Sequence, residues 1–278
     1  MSYILCRTKP AAAPFYIENI STNIYSIEEL CFYLYNNLYL VDETILNEKL
    51  CEWLQIELGL TALSKKVRGL LEQKVSVGQV LAPIFKEIYY LSHEEMRIFN
   101  AKLEQYEAQP ARVRMKMKAD YLYGNEKFRN ALNIYKASLK LSEEDETGSQ
   151  FKGSVYYNMG CAYAKLFQMD EAIHCFSLAY EHLRTMASIK SYLYAVYMEY
   201  GEEALEDKAR QLGVDDERRD DILLEVEIAA DELFETADGK EYARALEEKK
   251  KGNFDVYREA MKSLLTRLTG EYHKSTGY

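Results

Sequence analysis

Glycine and proline are scarce in this chain, 13 and 4 among 278 residues. Sandwiches and barrels rest on many tight turns that need both residue types, so the shortage argues for helices. Long apolar runs are missing as well. No stretch approaches the roughly 20 apolar residues that a membrane-spanning helix requires. The first residues, Met1-Ser2-Tyr3-Ile4-Leu5-Cys6-Arg7, carry no charged segment ahead of an apolar core. No signal or transit peptide is read there, and a cytoplasmic location is expected. The five cysteines, Cys6, Cys31, Cys51, Cys161 and Cys175, are odd in number and include no C-x-x-C pair. That argues against a disulfide framework and against a zinc ribbon, and for reduced, buried thiols.

A basic excess is also lacking. The net charge is −10, and residues 202–238 hold 15 acidic and 4 basic side chains, which leaves the rest of the chain near +1. A nucleic-acid binder would show a basic face, so no nucleic acid is expected as partner. The acidic segment reads as a solvated helix face, or as a surface for a basic partner. Catalytic signatures are absent too: there is no phosphate-binding loop, no dinucleotide fingerprint and no nucleophile elbow. The four histidines are His93, His174, His182 and His273. Cys161, His174, Cys175 and His182 fall within one stretch, but their offsets place them on different helix faces, so no metal site is expected. No cofactor and no catalytic residue is assigned, and the chain is expected not to be an enzyme.

What the chain has is helical pattern and tyrosine, 24 of them against one tryptophan. An apolar ring with a polar tip suits helix seams and half-open grooves. Ser26-Ile27-Glu28-Glu29 and Ser92-His93-Glu94-Glu95 are capping boxes, in which the serine accepts a free N–H and the glutamate reaches back. They open helices at about 26 and 92, the latter reaching about Ala108. Further helices are predicted near 43–58, 61–73 and 79–91, with Pro83 in the first turn of the last or kinking it. Ahead of them, Tyr3-Ile4-Leu5-Cys6 and Phe15-Tyr16-Ile17 predict a short β-hairpin or an extended arm. An acidic helix near 216–235, with Ile222, Val226, Ala229, Leu233 and Phe234 as its apolar stripe, and a last helix near 253–270 are predicted to dock on the end of the fold.

From Gly153 to Tyr180 the chain reads GSVYYNMGCAYAKLFQMDEAIHCFSLAY. Tyr156, Met159, Gly160, Tyr163, Ala172, Phe176 and Ala179 stand at the offsets of the tetratricopeptide repeat, which this stretch resembles. Gly160 and Ala172 are small where two helices would cross closely, and the aromatic residues fill the space beside that crossing. Arg184 stands where the family has a terminal proline. Ala119, Leu122, Phe128, Ala131, Tyr135 and Leu139 resemble a weaker copy. Ala131 and Ala172 lie 41 residues apart (172 − 131), against a period of about 34. The surplus fits the polar insert Ser142–Ser149 between the copies. The first copy is read with Met115 and Lys118 where bulky residues are expected, and with two extra residues in its internal turn. Residues 187–212 are read as the start of a third copy, with Ala195 at the close-packing position.

The resemblance implies an all-α fold, a right-handed α-solenoid of antiparallel helical hairpins. The expected organisation is an arm or hairpin at 1–25, a helical region at 26–110, repeats at 111–212, and acidic and C-terminal capping helices at 213–278. It also implies that the first helix of each hairpin lines a groove for a peptide or protein partner. The groove positions would be Tyr157, Asn158, Cys161 and Lys165 on the better copy, and Lys116, Asp120 and Tyr123 on the weaker one. The expected function is a non-catalytic interaction scaffold. The alternatives are a peptide-responsive sensor and an enzyme on a helical fold.

Overall fold

The computed structural model describes residues 9–141 and 148–276. The run Tyr3–Cys6 and residues 142–147 of the polar insert lie outside the described residues. The chain divides into two compact units, Met1–Tyr121 and Leu122–Tyr278.

The first unit begins with a two-stranded antiparallel hairpin, β1 (Phe15–Ile17) and β2 (Thr22–Ile24), with Phe15 opposite Ile24. Burial alternates along β1, where Phe15 and Ile17 are buried and Tyr16 is exposed, and Ile24 of β2 is buried opposite Phe15. The Phe15 ring meets Trp53 at 5.7 Å, and the Trp53 indole N–H donates to the Ala13 carbonyl at 2.9 Å. Six α-helices follow among the described residues: α1 (Ile27–Asn36), α2 (Glu48–Ile56), α3 (Thr61–Glu72), α4 (Val77–Glu87), α5 (His93–Glu107) and α6 (Ala111–Gly124), whose last residues belong to the second unit. The capping box at Ser92 forms in full and the one at Ser26 only by half. The Glu29 N–H donates to Ser26 Oγ at 3.1 Å and the Glu95 N–H to Ser92 Oγ at 3.2 Å. The Glu95 carboxylate completes its box on the Ser92 N–H at 2.8 Å, whereas Glu29 reaches one residue further, to the Tyr25 N–H. Pro83 lies inside α4 and is buried, not in its first turn, so the Gln79 carbonyl has no N–H one turn on. The helix predicted from 43 starts instead at Glu48, because Asn47 caps it and Asp42 folds the preceding residues into a turn. Helices α2, α3 and α4 pack in succession, and α4 returns against α1. Leu30, Leu34, Leu50, Leu54, Leu81 and Ile84 form the buried centre.

The second unit holds α7 (Phe128–Lys140), α8 (Gly148–Lys165), α9 (Met169–Leu183), α10 (Met186–Tyr200), α11 (Glu202–Gln211), α12 (Asp216–Glu235), α13 (Ala237–Lys250) and α14 (Phe254–Thr276). Each helix packs on the next along the chain. The described residues are thus all-helical apart from the small sheet, and none of their helices is long and apolar enough to cross a membrane. Two features depart from expectation. Helix α14 runs back to α7, where Lys127 donates to the Lys274 carbonyl at 3.3 Å. The stripe of α12 is buried only at Ile222, which joins Leu193, Leu205 and Ala209; Ala229, Leu233 and Phe234 are exposed. Ile222 sits where α12 meets α10 and α11. Helix α12 has 20 residues and α11 only 10, about 30 Å against about 15 Å, so α12 extends past α11. On α14, Leu264 is buried, but Phe254, Leu265 and Leu268 are exposed.

Candidate functional site

Helix α8 carries four of the seven residues singled out by sequence, and the packing of α8 on α9 sets their direction. A Cβ on Gly160 would sit 2.7 Å from the Phe176 ring, and one on Gly153 would sit 2.6 Å from Leu183 Cγ. These glycines are two turns apart, so one face of α8 is kept bare and α9 closes onto it. Ala172 and Ala179 of α9 are fully buried.

The neighbouring face presents Tyr157, Asn158 and Cys161, all half-buried, and Lys165, which is exposed. The Tyr157 hydroxyl lies 3.0 Å from Ser191 Oγ of α10, and its ring meets the edge of Phe176 at 5.6 Å. Asn158 donates from Nδ2 to the Tyr135 hydroxyl of α7 at 3.4 Å. Burial pushes the Cys161 thiol above the usual thiol range, with Lys165 pulling the other way. Burial also raises the Tyr123 hydroxyl, and Cys161 and Tyr157 add to that shift. Electrostatically, Tyr123, Tyr157 and Cys161 therefore share one neighbourhood within the second unit. The arrangement offers aromatic faces, one amide and an exposed ammonium.

Lys116 and Asp120 belong to the first unit, where they form an ion pair at 2.7 Å, one turn apart on α6. The cation expected to meet a partner's carboxylate already has one beside it. The pair is half-buried, so a partner's carboxylate would have to compete with Asp120 for Lys116.

Two residues escaped the sequence reading of the groove. Ser191 stands 34 residues beyond Tyr157, one repeat period on, and that spacing was the available signal. By sequence Tyr135 is one of the residues that resemble the weaker copy, and its buried hydroxyl accepts from Asn158.

Cys161, His174, Cys175 and His182 do not converge. His174 is exposed, Cys175 is buried, and the His182 ring stacks on Tyr156 at 5.9 Å. Among the described residues no group of three or more His, Cys, Asp or Glu side chains stands close enough to hold a metal ion. Comparison with known proteins returns nothing for this chain: no family model, no curated protein and no solved structure matches it.

Proposed function

We propose that the second unit is a non-catalytic interaction scaffold of the tetratricopeptide type, a right-handed solenoid that takes a peptide segment of a protein partner along α8 and α10. The observation that carries this reading is the contact of Tyr157 with Ser191 across a separation of 34 residues, at 3.0 Å. Side chains one period apart meet in this way when first helices of successive hairpins line one surface.

The turns support it. The connections from α6 to α7 and from α8 to α9 are the same three-residue turn. Glu126 and Phe167 take positive φ at equivalent places, and the Lys127 and Gln168 N–H groups close on the Leu122 and Tyr163 carbonyls at 2.9 and 3.0 Å. The two extra residues assigned to the first turn are therefore not there. The whole surplus falls between the copies, where α8 begins early, at Gly148. Arg184, in place of the family's proline, also has a physical account. It ends α9 at φ 52°, a left-handed conformation that proline's ring forbids. The thiols of Cys31, Cys51, Cys161 and Cys175 are free, which suits a reducing compartment such as the cytoplasm.

The test is selection from a random peptide display library on the full-length chain, followed by affinity measurement on the Lys165→Glu variant. Because Lys165 is exposed, the variant is expected to keep its unfolding midpoint and to bind selected peptides at least about tenfold more weakly. Peptides that bind wild type and variant equally would take the site away from α8.

A further inference from the structure

We infer that the first unit contains a binding site for an amphipathic monocarboxylate, a small molecule with an aliphatic or aromatic body and one carboxylate head. The site is a cavity of about 420 Å³ walled by α3, α4, α5, α6 and the turn before α2. Sites for small organic ligands run from about 300 to 1,000 Å³ and combine mostly apolar walls with few polar groups. This cavity has that volume, and apolar residues outnumber the polar and charged ones in its lining, though the polar share is substantial. Leu46, Leu71, Val80, Leu103 and Met115 supply apolar walls from five different segments, and Tyr106, Arg114 and Lys118 supply one polar edge.

The two cations on that edge differ in what they already hold. Lys118 is paired with Asp42, whose carboxylate also accepts from the Thr44 N–H at 3.0 Å and the Thr44 hydroxyl at 2.6 Å. That cluster is internally satisfied. Arg114 donates from Nη1 to the Glu107 main-chain carbonyl at 3.2 Å and has no ion pair among the described residues. A half-buried guanidinium that lacks a carboxylate retains the fork of donors that carboxylates fit best. Tyr106 stands within its field. Burial raises the tyrosine hydroxyl, and the Arg114 charge lowers it in part. A hydroxyl that stays protonated beside the guanidinium is a second donor for the same head group. Two further carboxylates border the cavity. Glu43 is exposed to water and Glu107 is half-buried at the end of α5. They would favour an amine head instead, so the sign of the preferred head group decides the matter.

The experiment is calorimetric titration of the full-length protein with octanoate, octanol and octylamine, which share one chain and differ in head charge. Octanoate is expected to bind once per chain, at least about tenfold tighter than octylamine and several-fold tighter than octanol. The Arg114→Gln variant should lose the preference for octanoate and leave octanol unchanged. Met115→Trp, which fills the cavity, should weaken both. Absence of octanoate binding, tighter binding of octylamine, or an unchanged preference in Arg114→Gln would each overturn the assignment. The head-group series on the wild type stands without the variants if either fails to fold. Loss of this site would leave the peptide-binding reading of the second unit untouched, since the two are tested on different residues and different ligands.

Discussion

Gly160 and Gly69 are both helical glycines, and they should respond oppositely to alanine. Gly69, inside α3, has nothing within 4 Å of the position a Cβ would take. Replacing it with alanine removes unfolded-state freedom at no steric cost and should stabilise by about 0.5–1 kcal/mol. Gly160→Ala gains the same propensity but drives a methyl against the Phe176 ring, and overpacking of this kind costs about 1–3 kcal/mol. A net loss is expected, visible as a lower urea midpoint with an unchanged slope. The thiols provide a second residue-scale prediction. Cys31, Cys51 and Cys175 are buried. Burial is the main cause that raises each thiol, pushing Cys175 from 9.0 to about 11. A folded thiol at about 11 is still protonated at about pH 8 and hence a poor nucleophile. Its contribution to stability is complete below the unfolded value of 9.0 and is lost as the pH climbs through about 11. In a Cys6→Ser variant, Ellman's reagent at about pH 8 should react slowly with these three thiols in the folded chain and rapidly with all of them in urea. Rapid stoichiometric reaction of two or more of them without denaturant would contradict this burial.

At the scale of the element, α12 separates pattern from packing. Ile222 is fully buried in the cluster with Leu193 and Leu205, whereas Leu233 is 60% exposed. Both belong to one apolar stripe by sequence. Ile222→Ala should cost about 2–5 kcal/mol, as truncation in a packed core does. Leu233→Ala should fall within about 0.5 kcal/mol. Chemical denaturation followed by far-ultraviolet dichroism distinguishes the two, and equal losses would mean that the whole stripe is covered. Element boundaries followed local chemistry where a cap was present. The serine at 92 fixed the start of α5 and Pro110 its end. At α2 the apolar period ran past the true start, because Asn47 caps the helix and Asp42 with Thr44 folds the residues before it into a turn.

For the whole molecule, charge is the property that composition controls most directly. The isoelectric point is about 5.1. Near that pH the net charge vanishes, and exposed apolar side chains such as Leu224, Ile228, Phe254 and Leu265 are no longer held apart by like charge. Light scattering should show association near pH 5.1 at low salt that reverses at about pH 7.5. A dispersed solution at both pH values would count against this account.

The sequence alone determined the helical class, because scarce glycine and proline and a 3.6-residue apolar period leave few alternatives. It also determined the small-residue crossing at Gly160 and Ala172, since spacing along two adjacent helices is local information. The return of α14 to α7, the exposure of half of α12, the partner of Asn158, and the cavity edged by Arg114 were decided only by tertiary structure. Each depends on which distant segments meet, and on relative helix lengths after they meet. A hydrophobic period marks the side of a helix suited to burial, but it does not specify the partner that covers it.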